Sequence, residues 1–273
     1  MRTEDLQALA SLARSRAGLV LRGDAGYFAE TRLGPLARRE GAPSVSALIQ
    51  KLRSQPDPEL IQSLVEAMAI GETAFFRDRA VFERLRDYLL PGLAQLRAAG
   101  LVRVWCAGCS TGQEAYSMAM IGEELRETLP NFRLEVVGTD LSNNALKRAQ
   151  AGLYSQFEVQ RGLPIRQLLK HFEKVEDMWR VSARLREAVR WRQLNLIEDR
   201  RSVRHFDLIL CRNVLGDLDP KIRARVLERI APSLAPDGYL VLGLGESAGA
   251  LFEPADAALG LFRLSPAANL AAA

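Results

Sequence analysis

Histidine and cysteine are scarce in this chain, with two histidines and three cysteines among 273 residues. Three cysteines do not make a disulfide framework in a chain of this size, so a reducing compartment is expected. Cys106 and Cys109 have zinc-knuckle spacing, but a structural zinc site needs four ligands. Only Cys211, His171 and His205 remain to complete one, with no second paired motif. No metal is expected, and the cysteines read as small buried apolar residues. Long apolar runs are also missing: no window approaches 18 uninterrupted apolar residues, which excludes a transmembrane helix. The first residues, MRTEDLQALASLARSRAG, carry acids where a signal peptide would be basic, so a cytoplasmic location and no membrane insertion are expected. Neither the GxGxxG dinucleotide fingerprint nor the GK[ST] ending of a phosphate loop occurs beside the glycines discussed below.

What is present is the composition of an ordinary globular protein, 48% apolar and 26% charged. The formal charge is only +4, yet it is uneven: residues 161–204 hold twelve Lys/Arg against six Asp/Glu. That excess points to an acidic partner. An acidic protein surface is favoured over nucleic acid, because no nucleic-acid recognition motif accompanies the charge.

The apolar rhythm changes once along the chain. LQALASLARSRAGL, PSVSALIQKLRS, PDPELIQSLVEAMAI and DRAVFERLRDYLLPGLAQLRAAG all repeat at helical spacing. Ser44 and the Pro–acid start of the third segment supply helix starts. Residues 1–90 therefore read as a helical N-terminal domain. Beyond Gly100, the apolar, β-branched runs LVRVWCAG, LEVVGTD, VRWRQLNL, FDLILCRNV and GYLVLGLG alternate with helical stretches. That alternation predicts an α/β domain over residues 91–273 with a largely parallel sheet. Residues 154–190 are too long for a simple connection and read as a small inserted subdomain, helical in LPIRQLLKHF and SARLREAVR.

The stretch VWCAGCSTGQEAYSMAM runs from a strand through Gly108 and Gly112 into a helix. Such glycines let the backbone approach a ligand at free helix N–H groups. The next strand, LEVVGTD, ends in Asp140, placed to accept hydrogen bonds from ribose hydroxyls. A glycine loop with a strand-end acid but no pyrophosphate fingerprint favours S-adenosylmethionine over NAD. Glu114 lies in the first turn of the helix after the loop, suited to the helix dipole or to a ligand's cationic end. FDLILCRNV ends in Arg212 and Asn213, where strand ends of this fold class line the ligand crevice. Phe75 and Phe76 read mainly as core residues, with pocket closure as the alternative.

Together, GETAFFRD, VWCAGCSTGQEAYSMAM, GTDLSNNALKRAQAGLYS and FDLILCRNVLGDLD resemble the CheR-type methyltransferases of bacterial chemotaxis. The resemblance covers nearly the whole chain. It implies an S-adenosylmethionine-dependent methyltransferase (Rossmann-like) domain preceded by a small all-helical domain. It also implies a protein-glutamate O-methyltransferase that makes methyl esters on the cytoplasmic domain of chemoreceptors and leaves S-adenosylhomocysteine. By the same resemblance, Thr73 and Arg77 are cofactor and active-site residues, with Arg77 catalytic. Glu114 and Asp140 contact the methionine and adenosine-ribose portions, and Asn195, Leu196, Arg212 and Asn213 are further cofactor contacts. The inserted subdomain contacts the receptor, and the enzyme is a monomer. Three positions depart from the family pattern: Gly71 stands for Asn, Ala115 for Pro, and no Tyr follows Arg212–Asn213. Two other readings remain open, methylation of a non-chemotaxis signalling protein and a cofactor-binding regulatory module with little turnover.

Overall fold

The structure, a computed structural model, describes residues 1–21, 23–69, 71–198 and 205–268. The chain divides into two compact units, residues 1–70 with 216–225, and residues 71–215 with 226–273.

The first unit holds α1 (Thr3–Ala17), α2 (Ala25–Arg39), α3 (Val45–Ser54) and α4 (Pro58–Met68). Their starts follow the residues that satisfy the first N–H groups of a helix. The Ser44 hydroxyl accepts from the Ala47 N–H at 3.1 Å, and the Asp57 carboxylate accepts from Glu59 and Leu60 just before Pro58. Leu9, Leu33, Leu48 and Leu64 close the core, one from each helix. Residues 216–225 join it through an Arg14–Asp219 ion pair at 2.6 Å and a bridge between Leu19 and Leu218.

In the second unit, α5 (Arg79–Arg84) and α6 (Leu90–Gln95) are joined by a π-helical turn over Leu85–Leu89. Sequence rhythm groups these residues with the N-terminal helices. In the structure Val81, Phe82, Leu85, Leu90 and Leu93 are buried in one cluster with Val102 and Val104 of β1 (Leu101–Ala107). Gly100 sits in a short 3-10 turn after the helix has ended at Gln95. The chain continues through α7 (Gln113–Thr128), β2 (Arg133–Asp140) and α8 (Asn143–Ala151). After the inserted segment come β6 (Val189–Gln193), β7 (Phe206–Cys211), β8 (Leu234–Leu242), β9 (Phe252–Asp256) and β10 (Leu261–Leu264). Helix α12 (Pro220–Ile230) lies between β7 and β8 in the chain, its residues 220–225 belonging to the first unit.

These strands form a seven-stranded sheet in the order β6-β2-β1-β7-β8-β10-β9. The first four pairings are parallel, and only β10 runs antiparallel to its neighbours. β7 is buried along its whole length, as expected for a parallel strand covered on both faces. The order reverses at β1, where the chain runs outward to β2 and β6 and then returns to β7 on the other side. That switch point opens a crevice at the carboxyl ends of β1, β2 and β7.

The inserted segment is more β-rich than its sequence rhythm predicts. It holds β3 (Leu153–Ser155), α9 (Gln156–Gln160), α10 (Ile165–His171), β4 (Phe172–Val175), β5 (Met178–Val181) and α11 (Ala183–Glu187). The strands make a separate antiparallel sheet ordered β3-β5-β4. The helices predicted in LPIRQLLKHF and SARLREAVR are present but short. Helix α8 stops at Ala151, so Leu153 and Tyr154 are strand residues. No helix among the described residues is long and apolar enough to cross a membrane.

Candidate functional site

The loop between β1 and α7 is shaped by backbone that only a few residues tolerate. Gly108 and Gly112 have φ of 74° and 93°. A Cβ on Gly112 would lie 2.7 Å from the Trp191 ring, and one on Gly108 would lie 2.5 Å from a Val214 methyl. Both glycines are therefore required by handedness and by their own protein neighbours. The Gly108 and Cys109 N–H groups donate to the Thr139 carbonyl, at 2.8 and 2.9 Å, fastening the loop to the end of β2. Ser110, at φ 50°, donates its N–H to Asp140 Oδ2 and its hydroxyl to the Gly71 carbonyl, both at 2.8 Å. A Cβ at position 71 would already stand 2.9 Å from the Ser110 hydroxyl, so the missing side chain leaves room for this contact.

Asp140 is not the cap of α8. Ser142 fills that role by accepting from the Ala145 N–H at 3.1 Å. The Asp140 carboxylate accepts instead from the N–H groups of Ser142 and Ser110, each at 2.8 Å. Two backbone donors from opposite sides hold it at the carboxyl edge of the sheet. Its carbonyl accepts from Leu194 at 2.9 Å, which brings the segment with Asn195 and Leu196 alongside. Asn195 bends that segment by accepting from the Ile197 N–H, and its amide donates to Glu198.

On the other side of the loop the buried Arg212 joins two part-buried carboxylates. The Arg212 side chain is 1% exposed and donates to Glu114 at 3.0 Å and to Asp78 at 2.5 Å. Its guanidinium also lies over the Phe82 ring at 5.5 Å, a cation–π contact. Burial pushes the Glu114 carboxyl up from its usual range. Arg212, and then Arg77, act in the opposite direction, and Glu246 adds to the rise. Next to Arg212, the Asn213 backbone adopts φ 57° and donates its N–H to Glu246 at 2.9 Å. Asn213 Oδ1 is buried without a hydrogen-bond partner among the described residues.

The GETAFFRD segment runs across the same region. Thr73 is half-buried there, and Phe76 and Asp78 both take left-handed φ, 47° and 58°. Non-glycine residues pay for that conformation, on the order of 1 kcal/mol each, only where surrounding contacts impose it. Those contacts are present: Phe76 donates its N–H to the Ser117 hydroxyl at 3.0 Å, and Asp78 holds Arg212. Arg77 lies between these two fixed residues. Its guanidinium donates to the Glu72 carbonyl at 3.2 Å and meets no carboxylate within ion-pair distance among the described residues. Phe75 is fully buried. It packs in the core cluster, and the half-buried Phe76 packs against that cluster.

Of the expected residues, Arg77, Glu114, Arg212 and Asn213 lie on one side of the loop, Asp140 and the segment with Asn195 and Leu196 on the other, Gly108 and Gly112 in the loop itself, and Thr73 in the GETAFFRD segment. Sequence reading missed Asp78 and Glu246. Glu246 follows the strand GYLVLGLG, the same strand-end signal that singled out Asp140. Cys106, Cys109 and Cys211 are buried, with thiols pushed up by burial, and belong to the packing behind the site.

Comparison with known proteins gives matches along most of the chain. Residues 4–69 match the family described as CheR methyltransferase, all-alpha domain. Residues 71–254 match the CheR methyltransferase, SAM binding domain. Chemotaxis protein methyltransferase 1 of Pseudomonas aeruginosa is 36% identical over 84% of this chain and 85% of its own length. Chemotaxis protein methyltransferase Cher2 of Pseudomonas putida is 34% identical over 86% of each. Chemotaxis protein methyltransferase 1 of Vibrio cholerae is 35% identical over 85% of each.

Proposed function

We propose, from the premise that this chain belongs to the CheR methyltransferase family, that it esterifies glutamate side chains of chemoreceptors in the cytoplasm. It is an S-adenosylmethionine-dependent methyltransferase. The observation that supports the reading best is the pair of carboxylates flanking the loop, Asp140 held by the Ser110 and Ser142 N–H groups and Glu114 held by Arg212 with Arg77 acting on it, together with Asn213 Oδ1, buried without a partner among the described residues. Two carboxylates and an orphaned acceptor suit a group rich in hydroxyl and amine donors and positive in charge.

S-adenosylmethionine supplies a methyl group activated by a cationic sulfur. Glu114, with its charge sustained by Arg212, would hold the amino-acid end, and Asp140 would accept from the ribose hydroxyls. Thr73, Asn195, Leu196 and Asn213 would complete the contacts, over a loop shaped by Gly108 and Gly112. Arg77 orients the incoming glutamate carboxylate. That nucleophile is already ionised at neutral pH, because an ordinary glutamate has a pKa of about 4.3. No general base is needed, so the scarcity of histidine in the chain does not count against the reaction. Orientation and exclusion of water remain as the protein's contributions.

Incubation with methyl-labelled S-adenosylmethionine and receptor-containing membranes, followed by mild alkali, tests the reading. Base-released label is expected, as a carboxyl methyl ester requires. Alkali-stable label would mean N-methylation. No label, with measurable cofactor binding, would mean a regulatory module.

The inserted segment is the proposed receptor-docking surface. Not all of its cations are available for this: Arg184 is paired with Glu123 at 2.5 Å, Lys170 with Glu127 at 2.7 Å, and Arg186 packs on Gly152. Arg200, Arg201 and Arg204 lie outside the described residues. Arg161, Arg166 and Lys174 are exposed. Replacing these three with Glu should raise the receptor KM about tenfold at low salt, less at high salt, as steering by exposed charge requires. Cofactor affinity should stay unchanged. An unaltered receptor KM at low salt would remove the segment as the docking surface.

A further inference from the structure

A side chain of the inserted segment reaches the glycine loop. Tyr154, in β3, is 1% exposed, and its hydroxyl donates to the Thr111 carbonyl at 2.6 Å. Thr111 precedes Gly112, whose carbonyl accepts the Tyr116 N–H at 3.0 Å and so opens α7. The Tyr154 bond thus fixes the last peptide of the glycine loop, immediately before the turn that carries Glu114. Burial pushes the Tyr154 phenol well up, so it stays a protonated donor at any physiological pH.

The same ring supports the segment that carries Arg77. It meets Phe75 edge-on at 5.0 Å between centroids, and Phe172 of β4 meets Phe75 at 5.5 Å. Gly162, in the turn after α9, lies so close to the Phe75 carbonyl that a Cβ there would collide with it. Phe75 is two residues before Arg77. One tyrosine therefore touches both the loop on the cofactor side and the segment on the acceptor side.

We infer that Tyr154 is a positioning residue for the cofactor side of methyl transfer, setting the glycine loop through its hydroxyl while its ring packs against the Arg77 segment. The inference rests on the reading of the crevice as an S-adenosylmethionine site. In β3, Tyr154 is the cross-strand partner of Trp179 in β5. The segment proposed to dock the receptor is thereby mechanically joined to the loop proposed to hold the cofactor.

Tyr154→Phe in the full chain keeps the ring and removes only the hydroxyl. Calorimetry with S-adenosylmethionine should show binding about fivefold weaker, the scale of one net hydrogen bond, with kcat at saturating cofactor within about twofold of wild type. Replacing Tyr154 with 4-aminophenylalanine, which restores a donor on the same ring, should recover most of that affinity. Ile230→Val, a trimmed core residue of α12, serves as the stability control and should lower Tm without weakening cofactor binding. Wild-type affinity in Tyr154→Phe, no recovery with the amino analogue, or an equal loss in Ile230→Val would overturn the inference. A wild-type chain that bound no S-adenosylmethionine would instead overturn the reading beneath it.

Discussion

Arg77→Ala should lower kcat by about 100- to 1,000-fold while leaving the dissociation constant for S-adenosylmethionine within about threefold of wild type. The expectation follows from how the crevice uses its two arginines. Arg212 is buried and its charge is already answered by Glu114 and Asp78. Arg77 is only partly buried and is steadied by a carbonyl. An approaching glutamate carboxylate therefore finds its counter-charge at Arg77. Removing that cation loses both the attraction and the orientation of the nucleophile, and a misplaced nucleophile is costly even when both reactants are bound. Arg77→Lys should recover the receptor KM better than kcat, because an ammonium keeps the charge but not the planar fork. Undiminished turnover in Arg77→Ala, with normal cofactor binding, would remove Arg77 from the reaction.

Much of this crevice is legible in the sequence, because its residues sit at strand ends and strand ends are marked by a change from apolar to polar. Asp140, Arg212 and Asn213 each follow an apolar, β-branched run, and Gly108 and Gly112 mark the turn into α7. What the sequence hides is pairing over distance. Asp78 and Arg212 are 134 positions apart, and no periodicity links them. The β4–β5 hairpin is hidden for another reason. Its turn is Glu176–Asp177, closing Val175 against Met178, and Glu176 takes φ 52°. Tight hairpin turns of that handedness usually announce themselves with Asn or Gly. Two acids flanked by four-residue strands give no such signal, so the segment reads as linker between helices. The fate of residues 79–95 was equally hidden, since helical rhythm says which face is apolar but not which core receives it.

Arg212→Ala should destabilise the second unit by about 3–5 kcal/mol, the range for removing one partner from a buried ion pair. Three losses coincide: the bond to Glu114, the bond to Asp78, and the packing of the guanidinium on Phe82. Glu114 suffers most, because it is deeply placed and burial already pushes its carboxyl up, with Arg212 the main opposing influence. Without Arg212 the carboxyl rises further above its unfolded value. A group whose folded pKa is raised binds its proton more tightly in the folded state. Its contribution is therefore fully present below the unfolded pKa and is lost as pH rises through the folded one. The deficit of Arg212→Ala should shrink as pH falls from neutrality toward the ordinary carboxylate range, which denaturant titrations at several pH values would reveal. Combining Arg212→Met with Glu114→Gln should restore much of the stability, since a neutral amide and an apolar chain replace two coupled charges. It should not restore cofactor binding, because Glu114 would no longer offer a charge to a cationic ligand. A double variant as unstable as Arg212→Ala would mean that Asp78, and the strained turn it anchors, is the partner that matters for folding.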